Sequence, residues 1–357
     1  MRICVVSYHA SPMARVGAGK SGGMSIVIRS LYGYLARFAE IDIFTQGSRG
    51  IIEPGPRMRL IHIAEHDPQR FAAAIAGHHH RRQYDLMHTH YWSSGVVGLY
   101  ARRGLRIPWL HTLHTVEVLK TMRRDKTRIE IEEEIMRACD LVVSPTRQEA
   151  AAISARYPEV RVITIPHGVD TRRFTPTRNG HHNILFVGRI EPIKGIHFLI
   201  DALKILKLDV GLTLVGGSSK GAANLEGIRT YAAGLPVEFA GQVEHDRLAG
   251  YYSRAAMLAV PSHYESFGLV GLEAMASARP VVGFSHTGLQ ETVGRDAGIL
   301  VKMGAGDLAR AIQTLLADHG LRYRLGRRGW QKARAFDWSR IAHIYQRTYE
   351  RIIEEEE

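Results

Sequence analysis

Short apolar runs alternate with longer amphipathic stretches along almost the whole chain. The apolar runs have the length of buried strands, and the amphipathic stretches have helical spacing. In the first half the runs predict strands at residues 2–7, 41–45, 59–64, 85–90, 108–114, 141–144 and 161–165. Helices are predicted between several of them, at 25–38, 71–80, 93–103 and 128–139. Such an alternation is typical of a parallel sheet with crossover helices.

The segment 166–180, PHGVDTRRFTPTRNG, interrupts this alternation and is rich in Pro, Gly and polar residues, which predicts a linker. A second series of strands follows at 182–187, 211–215, 236–240, 257–260, 280–284 and 299–302, with a helix at 195–206. Residues 306–353 are predicted to form three helices. The chain therefore predicts an α/β protein with two doubly wound halves, whose ligands would lie in a cleft at the carboxyl ends of the strands.

Composition agrees with this picture, because 357 residues suit two domains better than one core. The formal net charge of +12 favours anionic partners, yet the basic residues are spread and form no nucleic-acid module. No apolar run approaches the roughly 20 residues of a bilayer span, and the apolar N-terminus predicts a first strand rather than a signal peptide. Cys4 and Cys139 are expected to be buried free thiols of a cytoplasmic protein.

The stretch 261–275, PSHYESFGLVGLEAM, carries the first candidate chemistry. It predicts a helix that begins after a polar corner, with Ser266 as N-cap and with Glu265 and Glu273 on either side of the helix start. The first amides of such a helix attract anions. We expect these amides to be those of Phe267, Gly268 and Leu269. Two carboxylates beside free amides suit a ligand with many hydroxyls and negative charge, such as a nucleotide sugar.

Two glycine-containing loops are further candidates for phosphate binding. The loop AGKSGGM at 18–24 lacks the first glycine of a Walker A loop, since Ala14 stands there, but Gly22 and Gly23 open a helix whose amides suit a pyrophosphate. An ordinary flexible turn explains that pair equally well. In VGRIEPIKG, residues 187–195, Arg189 and Lys194 follow a strand and suit a diphosphate clamp or, taken alone, two solvated cations.

His88 and His90 share one face at the end of a predicted strand. A zinc site would need a third ligand, for which His9, His111 or His114 are candidates. No ligand spacing here is diagnostic, and such histidines more often bind a substrate through hydrogen bonds. We therefore expect no bound metal.

GRIEPIKG followed by ESFGLVGLE resembles the retaining glycosyltransferases of family 4, which adopt the GT-B fold of two Rossmann-like domains. The resemblance implies that Glu273 binds the ribose, that Glu265, Ser266 and the amides of 267–269 hold the donor hexose and phosphate, and that Val243 faces the base. It also implies that Arg189, Lys194 and the Gly22–Gly23 pair bind the diphosphate. By this resemblance residues 1–170 form an acceptor-binding domain, 171–337 a donor-binding domain, and 338–357 a helix that crosses back to the first domain.

The N-terminal half resembles, through SYHASPMARVGAGKSGGM, HTHYWSSG and TLHTVEVLK, the N-acetylglucosaminyl transferases that act on inositol phosphate in mycothiol synthesis. Sucrose-phosphate and sucrose synthases are more distant relatives. The resemblance places His114 at the reacting centre, and it implies an acceptor site lined by His9, Ser25, His90, Tyr91, Thr115, Lys120 and Arg128, whose cations would receive an acceptor phosphate. Ser25 stands where these relatives carry Asn, and residues 62–68 lack an expected lysine. The acceptor is therefore left open.

The implied reaction is transfer of a hexosyl unit from a nucleoside diphosphate sugar, with UDP favoured, and with retention by front-face displacement. Its catalytic residues would be His114, Arg189, Lys194 and Glu265, with no metal or other cofactor. Three alternatives stay open: a glycolipid transferase at an anionic membrane, a nucleotide-sugar epimerase of the same fold, and a non-catalytic binding protein. A homodimer is also left open.

Overall fold

The structure, a computed structural model, describes residues 1–13, 22–120, 124–177, 183–207, 210–218 and 221–356. The chain divides into two compact units. The first unit contains the described residues from Met1 to Pro166 together with those from Trp338 onward. The second unit contains the described residues from His167 to Asp337. Residues 18–21 of the AGKSGGM loop and residues 178–180 of the predicted linker lie outside the described residues.

The first unit begins with alternating strands and helices. The strands are β1 (Arg2–Val6), β2 (Glu40–Gln46), β3 (Gly50–Gly55), β4 (Met58–Ile63), β5 (Leu86–His90), β6 (Trp109–Thr112), β7 (Leu141–Ser144) and β8 (Val162–Thr164). The helices are α1 (Gly23–Leu35), α2 (Pro68–Arg82), α3 (Trp92–Leu105), α4 (Lys126–Ala138) and α5 (Arg147–Arg156). The predicted strands and helices of this half are confirmed to within a few residues at each end.

Among the described residues the first sheet has the order β3-β4-β2-β1-β5-β6-β7-β8. All neighbouring pairs are parallel except β3 and β4, which are antiparallel. Strand β3 was not predicted, because its residues lie almost entirely exposed at the sheet edge and Ile51 and Ile52 therefore show no buried periodicity. Helix α5 was not predicted either, because its apolar residues do not line up on one helical face.

The second unit repeats the alternation. Its strands are β9 (Asn183–Val187), β10 (Leu212–Val215), β11 (Val237–Gly241), β12 (Ala255–Val260), β13 (Val281–Phe284) and β14 (Gly298–Val301). Its helices are α6 (Ile196–Leu206), α7 (Ala222–Tyr231), α8 (Leu248–Arg254), α9 (Leu269–Ala276), α10 (Leu289–Thr292), α11 (Ala305–Ala317) and α12 (His319–Ala333). The predicted strands are confirmed, whereas α7, α8 and α10 were not anticipated.

Within the described residues the second sheet is entirely parallel, with the order β11-β10-β9-β12-β13-β14. If the strands of this sheet are numbered from β9 as strand 1, their order is 3-2-1-4-5-6, which is the order of a doubly wound fold. The chain reverses direction across the sheet between β9 and β12, and ligands of such sheets bind beside the carboxyl ends of the strands at that point. In the first sheet the corresponding strands are β1 and β5.

The last helix, α13 (Trp338–Glu354), belongs to the first unit, where it packs against α1. Tyr345 and Tyr349 are buried on its inner face. With α11 and α12 it confirms the three helices predicted for residues 306–353. Within the part of the chain that the structure describes, none of the helices is both long enough and apolar enough to cross a bilayer.

Candidate active-site residues

The reversal point of the second sheet brings Lys194 and Glu265 together. Lys194 lies in the turn that follows β9, and Glu265 lies in the loop that follows β12. Because these strands are neighbours, Nζ of Lys194 reaches 2.7 Å from Oε2 of Glu265. The hydroxyl of Ser262 donates to the same oxygen at 3.3 Å. The two residues thus form one polar pair where a doubly wound sheet binds its ligands.

Gly195 permits this close approach of the two loops. Its φ is +65°, and a Cβ at this position would lie 1.9 Å from the carbonyl oxygen of Pro261. Any side chain would therefore push the turn after β9 away from the loop after β12. Gly195, the last residue of the GRIEPIKG motif, is therefore needed to place Lys194 against Glu265.

Helix α9 begins at Leu269. A helix with Ser266 as its N-cap would begin two residues earlier, at Phe267. The N-cap is Gly268, whose φ of +88° is left-handed and ends any helical continuation toward Phe267. The first helical bond runs from the amide of Leu272 to the carbonyl of Gly268 at 3.1 Å. The prediction of Ser266 as the cap is therefore wrong, and of the three amides expected to open the helix only that of Leu269 does so.

Glu273, the second acid of the motif, is almost completely buried inside α9. Its Oε1 lies 2.7 Å from Nε2 of His245, and its Oε2 accepts a hydrogen bond from the hydroxyl of Tyr252 at 2.8 Å. Burial, together with the neighbouring Glu273 carboxylate, raises the pKa of Tyr252 well above its usual value, so the phenol keeps its proton. Both carboxylate oxygens are thereby held in fixed directions.

A guanidinium determines the tautomer of His245. Nη1 of Arg173 lies 3.0 Å from Nδ1 of His245, and an arginine can only donate. Nδ1 therefore accepts, and the ring donates its proton from Nε2 to Glu273. Sequence reasoning missed Arg173, His245 and Tyr252, since they lie 100, 28 and 21 residues from Glu273 and belong to no shared motif.

The other predicted donor residues are less enclosed. The side chain of Arg189 is 46% exposed, and its Nη1 lies 3.1 Å from Glu191. Val243 is half-buried just after β11. In the first unit, α1 opens at Gly23 with Gly22 as its N-cap, which agrees with the prediction that this glycine pair opens a helix. Among the residues that the structure describes, nothing lies within 4 Å of the position that a Cβ on Gly22 would take.

In the first unit, residues that follow the neighbouring strands β1 and β5 contact each other, as Lys194 and Glu265 do in the second unit. Nδ1 of His9 lies 2.6 Å from the hydroxyl of Ser93, and its ring centroid lies 4.8 Å from that of Tyr91. Tyr91 has a φ of +73°, a strained value for an aromatic residue that turns the chain sharply between β5 and α3. The predicted residues His9 and Tyr91 are thus neighbours at this sheet's reversal point.

A chain of buried polar groups leads from α13 to His114. The hydroxyls of Tyr349 and Tyr32 lie 2.7 and 2.8 Å from Nδ1 of His88. Tyr32 also lies 2.7 Å from Nε2 of His90, whose Nδ1 lies 2.9 Å from Nε2 of His114. Burial lowers the pKa of His88 well below its usual value, so this ring is neutral.

Two of the remaining predicted acceptor residues, Thr115 and Lys120, lie close to Arg128 on α4. Nη2 of Arg128 donates to the hydroxyl of Thr115 at 2.8 Å, and Nη1 donates to that of Tyr91 at 3.1 Å. Lys120 is ion-paired with Glu117. Ser25, on the first turns of α1, is buried. The structure thus joins Tyr91, Thr115 and Arg128 directly.

The histidines do not form a metal site in the described residues, where no group of three or more His, Cys, Asp or Glu side chains is arranged to hold an ion. His88 instead binds Thr112 through Nε2 at 2.9 Å, and His111 binds Thr89 through Nδ1 at 2.7 Å. The hydrogen bonds of His88 thus occupy both of its ring nitrogens, whereas those of His111 to other described residues occupy only Nδ1.

Two sequence families match the chain. The family described as Glycosyl transferases group 1 matches residues 181–318, and Glycosyltransferase Family 4 matches residues 21–173. A D-inositol 3-phosphate glycosyltransferase of Xylanimonas cellulosilytica is 32% identical, over 96% of this chain and 94% of that protein. The protein of the same name from Corynebacterium efficiens is 33% identical, over 96% and 93%.

Solved structures agree with this assignment. Sucrose-phosphate synthase from Thermosynechococcus elongatus superimposes with a TM-score of 0.90 at 33% identity, covering 99% of this chain and 100% of that one. Anabaena HepE, solved with UDP and glucose, has a TM-score of 0.79 at 20% identity, covering 98% and 99%, and shares the fold. The chain therefore belongs to the family 4 glycosyltransferases and is a hexosyltransferase with the GT-B fold.

Proposed function

We propose that this enzyme transfers a hexosyl unit from a nucleoside diphosphate sugar to a hydroxyl group of a small cyclitol or hexose acceptor, with retention at the anomeric carbon. The observation that carries the donor side is the Lys194–Glu265 pair at the reversal point of the second sheet. The names of the relatives support the acceptor class, since they act on an inositol phosphate or make a sugar phosphate. We take uridine as the base from the resemblance of the donor motifs.

In the proposed reaction the acceptor oxygen forms a bond to the anomeric carbon as the bond to the donor phosphate breaks. The departing phosphate oxygen takes the acceptor's proton, so the products are the glycoside and the nucleoside diphosphate. Negative charge grows on the leaving diphosphate, and Arg189, Lys194 and the amide at the start of α9 stabilise it. No residue needs to act as a covalent nucleophile, because Glu265 would bind hydroxyls of the hexose.

Donor binding by Glu273 is consistent with its surroundings. A carboxylate oxygen has two acceptor positions, so each oxygen can take one ribose hydroxyl in addition to its protein donor. Tyr252 and His245 would hold the carboxylate ready for the two hydroxyls. His114 would contact the donor hexose, held through the chain of buried groups that begins at Tyr349.

We propose that the reaction needs no metal or other cofactor, because Arg189 and Lys194 would supply the positive charge that the diphosphate needs. We also propose a cytoplasmic location, because Cys4 and Cys139 are both free thiols, as is usual in a reducing compartment.

A panel of nucleotide sugars crossed with inositol, inositol phosphate, hexoses and hexose phosphates tests the proposal. We expect mass spectrometry to detect one acceptor that gains a hexosyl or N-acetylhexosaminyl unit, and NMR to assign the donor's anomeric configuration to the product. Transfer to no acceptor, with an epimer formed from the donor alone, would identify an epimerase instead. Binding of donors without any turnover would identify a binding protein.

A further inference from the structure

Two cations and two carboxylates form a compact cluster in the first unit, which we call the acceptor-side ion cluster: Glu117, Lys120, Arg128 and Glu132. Oε2 of Glu117 pairs with Lys120 and lies 3.0 Å from Nη1 of Arg128. Nε of Arg128 donates to Oε1 of Glu132 at 2.7 Å. The formal charges of the cluster therefore cancel, although its two cations are those that the family resemblance assigns to an acceptor phosphate.

Every nitrogen of the Arg128 guanidinium is already engaged. Nε donates to Glu132, Nη1 contacts the hydroxyl of Tyr91 and the carboxylate of Glu117, and Nη2 contacts the hydroxyl of Thr115 and, at 3.4 Å, its carbonyl oxygen. The guanidinium carbon also lies 4.8 Å from the centre of the Tyr91 ring. An incoming phosphate could take a donor from Arg128 only by displacing one of these partners.

Glu117 is held firmly in this position. Its side chain is 4% exposed, its Oε1 accepts the amide of Asp125 at 3.1 Å, and its own amide donates to Oε2 of Glu132 at 2.7 Å. It sits on a short 3-10 turn at 117–119 that precedes Lys120. A carboxylate fixed by so many contacts does not move aside without cost.

We propose that Glu117 is a specificity-determining residue: it acts as a built-in anion that occupies Lys120 and Arg128 and thereby weakens the binding of phosphorylated acceptors. A phosphate dianion that approaches these cations meets a fixed negative charge a few ångströms away, and it must share donors that Glu117 already uses. An uncharged polyol meets neither penalty. The inference rests on the proposed function for the identity of the acceptor site.

The test compares matched acceptors in wild type and Glu117→Gln: inositol with inositol phosphate, and fructose with fructose 6-phosphate. The substitution keeps the side chain's size and removes its charge. We expect the ratio of kcat/KM for the phosphorylated to the unphosphorylated acceptor to rise about tenfold, mainly through KM. An unchanged or lower ratio in a folded Glu117→Gln protein would overturn the proposal.

Glu133→Gln is the matched control. Glu133 lies one residue from Glu132 on α4, carries the same charge, and pairs with Arg137, outside the ion cluster. Its substitution changes the net charge equally, so we expect no change in the acceptor ratio. A rise equal to that of Glu117→Gln would assign the effect to long-range charge and contradict a local role.

Binding of inorganic phosphate separates this inference from the proposed function, because it needs no turnover. We expect isothermal calorimetry to give about tenfold tighter binding of inorganic phosphate to Glu117→Gln than to wild type. Adding Lys120→Gln should remove most of the gain, since Lys120 is one of the two cations that Glu117 occupies. Should the NH2 group of Gln disturb the cluster and unfold the protein, Glu117→Ala removes the same charge without placing a new donor beside Lys120 and Arg128, and it is expected to give the same result. If wild type glycosylates no acceptor but this gain appears, the proposed function fails while the effect of Glu117 on anion binding at Lys120 and Arg128 stands.

Discussion

Nδ1 of His90 lies 2.9 Å from Nε2 of His114, and this contact ties the residue proposed at the reacting centre to the buried core of the first unit. His114 has a φ of +62°, which few residues other than glycine adopt. A side chain on so strained a backbone needs partners to hold its direction. His90 supplies one, and Tyr32 holds His90 in turn at 2.7 Å.

Replacement of His90 tests this contact. We expect His90→Leu to lower kcat by at least about tenfold with a smaller effect on the donor KM, because His114 loses its partner. His90→Asn places an amide group near the position of Nδ1 and should restore part of the activity. Equal loss in both variants, with unchanged thermal unfolding, would contradict a role through His114.

Replacement of Lys194 tests the donor side. We expect Lys194→Ala to lower transfer by at least about tenfold, because a charged hydrogen bond to the leaving diphosphate is lost. Lys204→Ala, on the exposed face of α6, is the matched control and should transfer at the wild-type rate. A near-normal rate for folded Lys194→Ala would remove this residue from the diphosphate site.

The buried surroundings of Glu273 give a third prediction. Glu273→Ala should lower transfer at least about tenfold, and Tyr252→Phe should raise the donor KM several-fold while kcat changes little, because the phenol only orients the carboxylate. Steady-state kinetics over donor concentration measure both effects. Tyr251→Phe, one residue away, serves as the control, and an equal KM change there would contradict the orienting role of Tyr252.

Metal dependence is the fourth prediction. We expect wild-type activity to be unchanged after treatment with EDTA, because Arg189 and Lys194 supply the positive charge that the leaving diphosphate needs. The measurement is the initial transfer rate before and after chelation. A loss that zinc or magnesium restores would contradict the proposal.

Acid sensitivity is the fifth prediction, and it concerns stability. Burial lowers the pKa of His111 and of His167 to about 3 each, so both rings stay neutral in the folded protein well below the pKa of about 6.5 of an unfolded histidine. As the pH falls below about 6.5, the unfolded chain takes up protons that the folded chain cannot, and stability is lost progressively toward pH 3. By pH 5 each histidine should cost about 2 kcal/mol.

Thermal unfolding between pH 7.5 and pH 5 measures this loss. The fall in unfolding temperature should be smaller in His111→Gln than in wild type, since the substituted residue no longer titrates. A fall of the same size in both proteins would mean that other groups dominate the acid response.

Local patterns predicted most of the fold because each buried strand needs its own apolar run. The elements that were missed have weaker local signals: β3 lies exposed at an edge, and α10 is a helix of four residues. The start of α9 was predicted too early because Ser266 is a good N-cap by residue type. The left-handed φ of Gly268 decides the start instead, and a Cβ at this position would lie 2.5 Å from Cδ2 of Leu289.

By itself, the sequence determined the two doubly wound halves, the positions of Lys194, Glu265 and Glu273, and the membership of a glycosyltransferase family, because motif spacing and periodicity are local properties. Only the tertiary structure decided which groups these residues contact. Arg173, His245 and Tyr252 reach Glu273 from distant parts of the second unit. Glu117 neutralises Lys120 and Arg128 because a turn after β6 folds onto α4. Charge pairing and hydrogen bonding depend on distances in space, which residue order does not specify.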